Sequence, residues 1–234
     1  MSSNPTGLGR VIVTGGSSGL GAAIAAAIAE AGGRPVVLDR VPPSDPHEHV
    51  VVDLADTRLT ERVVGSVARM GLDAVVTCAG TDACGPLEKI DAEDWERVIA
   101  VNLLGTAAVI RAALPALLDR PGPGLGRIIT VASTLGLRAL PDATAYCASK
   151  FGVVGMTRSL GTELAGRVGV TCLVPAGMRT AFFDGRPDQY RPGPDAPLMD
   201  PAEVASVVVD LLGSPAAANV RELVLTAPGE PSWP

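Results

Sequence analysis

The chain has 234 residues, 47% of them hydrophobic but only 3% aromatic, which fits one α/β domain whose core is built from Ala, Val, Leu and Ile. Its 19 Lys and Arg against 25 Asp and Glu give a formal charge of −6, which argues against a nucleic-acid partner, since such proteins carry a basic face. Cys78, Cys84, Cys147 and Cys172 form no CxxC pair and lie far from His47 and His49, so no metal site is expected and a reducing cytoplasm is the simpler setting.

The N-terminal MSSNPTGLGR lacks the apolar core of a signal peptide. No run of about 18 uninterrupted apolar residues occurs, so no membrane span is expected. Arg10–Thr14 reads as a first buried strand and Gly21–Ala31 as an Ala-rich helix. Pro35–Leu38 and Val50–Asp53 follow as strands, then a helix over Thr57–Met70 and a strand at Ala74–Thr77. Ala92–Leu118 is helical, Arg127–Ala132 a strand, Ala143–Ala165 a helix, Val170–Val174 a strand, Pro201–Leu212 a helix and Leu223–Thr226 the last strand. Continuous apolar strands between helices require a parallel sheet covered on both faces. The expected fold is a single-domain (1–234), Rossmann-type doubly wound α/β architecture of about seven strands flanked by helices. Only ten residues, three of them prolines, join Asp39 to Val50, so that crossing is expected to be irregular. The Pro- and Gly-rich stretch Asp184–Pro201 is the longest loop-like segment, either an ordered lid or a mobile one, and 181–200 is the expected substrate loop.

Thr14-Gly15-Gly16-Ser17-Ser18-Gly19-Leu20-Gly21 joins the first strand to the first helix. Glycines permit the tight turn and let backbone amides approach a phosphate, and the helix N-terminus adds partial positive charge. The flanking strand and helix are the context that a dinucleotide site needs, although an ordinary turn also uses glycine. Asp39, at the end of the second strand, can accept hydrogen bonds from both adenosine ribose hydroxyls and would repel a 2′-phosphate, so it favours NAD. Arg40 beside it could instead bind that phosphate or stack on adenine, which keeps NADP open.

Tyr146 and Lys150 are four apart at the start of a helix, so they share one face. A tyrosine of pKa near 10 is poorly matched to proton transfer at neutrality, and a nearby ammonium would lower it. Lys150 is one of only two lysines, the other being Lys89, in a chain that otherwise uses arginine for positive charge. Taken alone, the pair could equally be an incidental Tyr and Lys at a helix start.

Together these segments closely resemble the classical short-chain dehydrogenase/reductases. Thr14–Gly21 matches their TGxxxGxG turn and Tyr146–Lys150 their YxxxK. Asn102 stands where the family has its helix asparagine, and Ser133 lies thirteen residues before the tyrosine. Pro175-Ala176-Gly177-Met178-Arg179-Thr180 resembles the PGxxxT segment, and Asp53-Leu54 the acidic pair at the adenine. The resemblance covers Arg10 to about Thr226 and implies an NAD(P)-dependent oxidoreductase acting on an alcohol or its carbonyl. It implies that Tyr146 is the acid/base, that Lys150 lowers its pKa and holds the ribose, and that Ser133 polarises the substrate oxygen. Asn102 would fix a proton-relaying water chain, and Thr180 with the Met178 backbone would orient the carboxamide. The implied cofactor-contacting set is Gly15, Ser17, Ser18, Gly19, Leu20, Gly21, Asp39, Arg40, Asp53, Leu54, Cys78, Ala79, Gly80, Tyr146, Lys150, Pro175, Gly177, Met178 and Thr180. A homodimer or homotetramer, paired through the two long apolar helices, is implied as well.

The chain departs from the pattern in three places. The family's NNAG reads Thr77-Cys78-Ala79-Gly80, which loses the asparagines that stabilise the strand end. Ala176 replaces a glycine, with Gly177 beside it to absorb an unusual backbone angle. Leu223–Pro234 lacks the usual glycine-rich stretch. His47 and His49 read as a solvated loop, Trp95 as packing, and Cys147 as a small buried residue. Arg138, Asp142 and Arg179 are expected near the mouth of the site, and Phe182, Phe183, Leu198 and Met199 as apolar cover. NAD-linked oxidation of an unidentified small-molecule alcohol is the leading reading, with an NADPH-dependent biosynthetic ketoreductase as the alternative. A non-catalytic dinucleotide sensor ranks lower, because the Asn-Ser-Tyr-Lys set is intact.

Overall fold

The structure is a computed structural model that describes residues 8–120, 124–215 and 217–230; both ends of the expected 1–234 domain lie outside these. Its elements are β1 (Arg10–Thr14), α1 (Gly19–Glu30), β2 (Arg34–Asp39), β3 (Glu48–Val51), α2 (Thr57–Ala68), β4 (Ala74–Thr77), α3 (Ala92–Ile99), α4 (Thr106–Leu118), β5 (Gly126–Val131), α5 (Thr144–Glu163), β6 (Val168–Pro175), α6 (Pro201–Leu212) and β7 (Glu222–Leu225). All seven strands run parallel in the order β3-β2-β1-β4-β5-β6-β7. The chain therefore steps outward from β1 to β3 and returns to β4 on the other side. That reversal opens a crevice at the carboxyl ends of β1 and β4, where ligands bind in sheets of this kind.

β1, β4, β5 and β6 are buried along their whole length, as parallel strands between two helical layers must be. One face packs Ile12, Val36, Val75 and Ile128 against α2 and α4, with Val64, Val109 and Leu117. The other packs Val11, Val13, Val76 and Leu173 against α1 and α6, with Ile24, Ile28, Val204 and Val208.

β3 begins and ends two residues earlier than the expected Val50–Asp53, in parallel register with Val36–Asp39, and Arg10 pairs with Glu48 at its start. The Asp39–Glu48 crossing contains no helix. Ala92–Leu118 is one helical run interrupted by a π-helical turn at Ala100–Gly105, which the 3.6-residue pattern does not reveal. Thr106 Oγ1 donates to the Asn102 carbonyl at 2.8 Å inside that turn. Gly105 is required there by close approach, since a Cβ would stand 2.8 Å from Leu54 Cβ and 2.9 Å from Leu54 O. This run is long and apolar enough by composition to cross a membrane, but half of its most apolar window is buried inside the fold.

Candidate active site

The glycine-rich turn shows why its residue types are needed. Gly15 and Gly19 have φ of +68° and +53°, the left-handed region that costs side-chain-bearing residues about 1–2 kcal/mol. At Gly21 a Cβ would stand 2.1 Å from the Gly15 carbonyl oxygen, which no side chain could tolerate. The first turn of α1 carries no acidic residue, and Ser18 makes no side-chain cap. The positive end of α1 is thus uncompensated and faces the crevice, which suits a pyrophosphate.

Asp39 sits at the far side of this turn. Its Oδ2 accepts the Ser17 N–H at 3.0 Å and its Oδ1 the Arg40 N–H at 2.6 Å. Both bonds come from backbone, so the carboxylate is oriented and retains acceptor capacity for hydroxyls. Ser17 itself does not line the crevice; its Oγ donates to the Val41 carbonyl at 2.6 Å and its N–H to Asp39. All the other expected cofactor contacts line one crevice of about 1160 Å³.

Asp53 carries a partner that the sequence did not show. Its carboxylate accepts the Ala55 N–H at 3.0 Å and Arg97 Nη2 at 2.9 Å. Burial pushes the carboxyl up, but Ala55, Arg97 and Arg40 outweigh it and hold the group below its ordinary value. Leu54 lies beside it, buried at 5% exposure.

At the strand end that lacks the NNAG asparagines, the backbone is held by Thr14. Its Oγ1 accepts the N–H groups of both Cys78 and Ala79 at 3.0 Å. Burial pushes the Cys78 thiol up to about 12, so it stays protonated in the cradle wall. Ala176 has no positive φ, and Gly177 is not needed to absorb one. An added Cβ at Gly177 would meet only Leu198 Cδ2, at 2.7 Å, the tip of a side chain that can turn aside. Thr180 closes the crevice opposite the turn, within contact of Gly19.

The four motif residues converge from three elements. Lys150 and Tyr146 come from α5, Ser133 from the end of β5 and Asn102 from the π-helical turn. Lys150 Nζ lies 5.6 Å from the centroid of the Tyr146 ring and donates to the Val131 carbonyl at 2.9 Å. Burial lowers its pKa from 10.5 to about 8. Burial likewise raises the Tyr146 phenol above its ordinary value near 10, with a Ser133 hydrogen bond opposing, Asp82 adding to the rise and Arg186 opposing. Burial sets the direction of this shift, and the Lys150 ammonium lies over the ring of the phenol.

Asn102, at 1% exposure, does not line the crevice. Its Oδ1 accepts the Thr81 N–H at 2.8 Å, and its Nδ2 donates to Thr81 O at 2.9 Å and to Ser149 Oγ at 3.0 Å. It brackets the loop after β4 and ties it to α5. Gly80 leaves the space between Asn102 Oδ1 and Lys150 Nζ open, since a Cβ there would lie 3.6 and 3.8 Å from them.

The segment after β6 lines the crevice beside Tyr146. Ala181–Phe183 and Asp188–Tyr190 form single helical turns. Phe182 packs on Tyr146, ring centroids 5.8 Å apart. Arg186 Nη2 pairs with Asp82 at 2.5 Å, and Tyr190 OH donates to Asp142 at 3.0 Å. Phe182, Phe183, Leu198 and Asp142 line the crevice; Met199, Arg138 and Arg179 do not. Asp82, Arg186 and Tyr190 were not picked out individually from the sequence. Trp95 Nε1 donates to Thr144 Oγ1 at 3.2 Å, which braces α3 on the start of α5. Cys147 is buried. His49 falls in β3, and no group of three or more His, Cys, Asp or Glu able to hold a metal occurs among the described residues.

Comparison with known proteins matches residues 10–191 to the short chain dehydrogenase family model. A 2-dehydro-3-deoxy-L-rhamnonate dehydrogenase (NAD(+)) of Sphingomonas is 36% identical over 75% of this chain and 74% of its own. A D-threitol dehydrogenase of Mycolicibacterium smegmatis is 33% identical over 93% and 90%. Among solved structures, a Beutenbergia cavernae protein provisionally assigned as an NAD(P)-dependent gluconate 5-dehydrogenase, with NADP bound, superposes with a TM-score of 0.81 at 33% identity over 92% and 94% of the two chains. A variant of actinorhodin polyketide ketoreductase with NADPH gives 0.81 at 28% identity over 93% and 95%.

Proposed function

Since the chain belongs to the short-chain dehydrogenase/reductase family, and is thus a nicotinamide-dependent oxidoreductase acting on CH–OH groups, we propose that it oxidises a small polyhydroxylated secondary alcohol with NAD. The observation that carries the cofactor preference is the Asp39 carboxylate, fixed by Ser17 and Arg40 amides where the adenosine ribose would lie. The NAD(+)-linked Sphingomonas relative supports the same choice, while the NADP and NADPH seen with two structural relatives make NADPH-linked reduction the second reading. The sugar-derived substrates named for three relatives support the polyhydroxylated class.

When bound, the nicotinamide would supply the hydride acceptor. The α1 N-terminus would hold the pyrophosphate, Asp39 the ribose, and Thr180 with Met178 the carboxamide edge. Ser133 Oγ accepts the Leu135 N–H at 3.1 Å and its hydroxyl is in hydrogen-bond reach of Tyr146, so the two hydroxyls would meet the substrate oxygen together. Tyr146 would exchange a proton with that oxygen. Its raised pKa keeps the phenol protonated near neutrality, the form needed for carbonyl reduction. Lys150 would hold the ribose, and its ammonium, 5.6 Å from the Tyr146 ring centroid, is close enough to favour the phenolate for oxidation.

A second copy of the chain is proposed as partner. Leu104 and Phe151 are exposed at 50% and 45% on the long helices that would pair. Four free thiols fit a cytoplasmic setting. The deciding experiment pairs fluorescence titration with NADH and NADPH with turnover of Tyr146→Phe. Tighter NADH binding, with unchanged binding but almost no turnover in the variant, is expected. Activity retained by the variant would remove Tyr146 as the acid/base.

A further inference from the structure

Resting on that reading, we propose that Asp82 and Arg186 are the substrate-reading pair of this site, and that they admit a neutral polyol in preference to a sugar acid. The pair stands one ring away from the reacting phenol. Tyr146 packs on Phe182 at 5.8 Å, the Arg186 guanidinium lies 5.1 Å from the Phe182 centroid and 4.6 Å from that of Phe183, and Arg186 bonds Asp82 at 2.5 Å. Both side chains line the crevice and both are largely removed from solvent, at 18% and 7% exposure. Two aromatic faces fix the guanidinium, so its donors point in set directions.

The hydrogen bonds are incomplete in a way that suits hydroxyl groups. Arg186 Nη2 goes to Asp82 and Nη1 to Tyr190 O at 3.3 Å, while the buried Nε has no partner. Asp82 Oδ1 accepts the Ala83 N–H at 2.8 Å, and Oδ2 accepts Arg186 and the Cys84 thiol at 3.2 Å. A carboxylate offers about four acceptor positions, so one remains. A hydroxyl both donates and accepts, and can therefore satisfy either group. A buried donor left unpaired costs about 1–3 kcal/mol, so a substrate that completes the set is favoured over one that cannot.

The charge balance decides against a carboxylate. Asp82 neutralises Arg186, and Asp142, bonded to Tyr190 OH, adds a second carboxylate on the same side. At this end of the crevice a sugar acid would meet two negative groups beside a guanidinium that is already paired; Lys89 and Arg191 also line the crevice, the latter paired with Asp188. Lys150 offers no substitute, since its ammonium is held by Val131 O beneath the ring.

The test compares kcat/KM for alditols of four to six carbons with that for aldonates of the same length, using NAD and NADP. Wild type, Asp82→Asn and Arg186→Gln are measured, with melting temperatures as a check on folding. Wild type should favour alditols by about tenfold or more, the effect of one well-made polar interaction. Asp82→Asn frees the guanidinium's charge and should move the ratio about tenfold toward aldonates, while Arg186→Gln should move it the other way. A pair serving only to latch the lid would lower both values alike, so an unchanged ratio in Asp82→Asn would overturn the proposal. So would a wild type that favours aldonates, or one that turns over only simple secondary alcohols; the latter leaves the oxidoreductase reading intact. Absence of turnover on every alcohol, with cofactor still bound, would sink both.

Discussion

Thr14 holds the backbone at the end of β4, and this can be tested by an isosteric change. The residue is 1% exposed, and its single hydroxyl oxygen accepts two backbone N–H groups, those of Cys78 and Ala79. Thr14→Val keeps the shape and removes the acceptor. Each orphaned N–H costs about 1–3 kcal/mol, and because both lie at the partly buried rim of the crevice the lower half of that range applies, for a sum of roughly 2–4 kcal/mol. For a chain of this length, a loss of that size corresponds to a fall in melting temperature of roughly 5–15 °C. Thr14→Ser keeps the acceptor and loses one methyl, about 1 kcal/mol. The loss should also reach the cofactor, because Gly15 stands against the Ala79 backbone, where a Cβ would come within 2.7 Å of Ala79 Cα. Thermal melts of the three proteins, followed by NADH titration, provide the readout: the valine variant should melt lowest and bind NADH more weakly than the serine variant. Valine and serine variants that melt together would refute the reasoning, since they differ chiefly in the acceptor.

Gly21→Ala forces a Cβ to 2.1 Å from Gly15 O, and relieving it should cost on the order of 3 kcal/mol, about 100-fold in NADH affinity by fluorescence titration. Asp39→Ala removes a charged acceptor worth about 1.5–3 kcal/mol to a ribose hydroxyl, so the NADH-to-NADPH affinity ratio should fall at least about tenfold. Lys150 has a native pKa of about 8 against 10.5 when unfolded, so between these values the unfolded chain binds more protons. Wild-type stability should therefore rise relative to Lys150→Met as pH increases across that window, as read from denaturant midpoints at pH 7.5 and pH 10.

What the sequence disclosed was what short-range spacing can encode. The glycine turn, the Tyr146–Lys150 face of α5 and the strand-helix alternation are each contained in a few consecutive residues, and the structure places them as read. The π-helical turn at Ala100–Gly105 was invisible, because it adds a residue to one turn without breaking the apolar pattern. The Ser17–Asp39 bond and the Thr14 acceptor were invisible for another reason: they join residues whose side chains say nothing of their partners. Ser17, among the expected cofactor contacts, also donates its N–H to the Asp39 carboxylate.

The substrate end shows the same limit in its strongest form. Asp82 and Arg186 are 104 residues apart, in two loops of no regular pattern, and their pairing follows from where β4 and β6 end in the sheet. Reaction chemistry needs a fixed geometry around one phenol and one hydride path, so the segments that build it keep recognisable local forms. Selectivity needs only a difference in free energy between two ligands, which any pair of loops can supply through a contact at long range. A chain of this kind therefore declares its reaction in its motifs and its substrate in its loop-to-loop contacts. The charge balance of Asp82, Arg186 and Asp142 is then the part of the site from which the substrate has to be read.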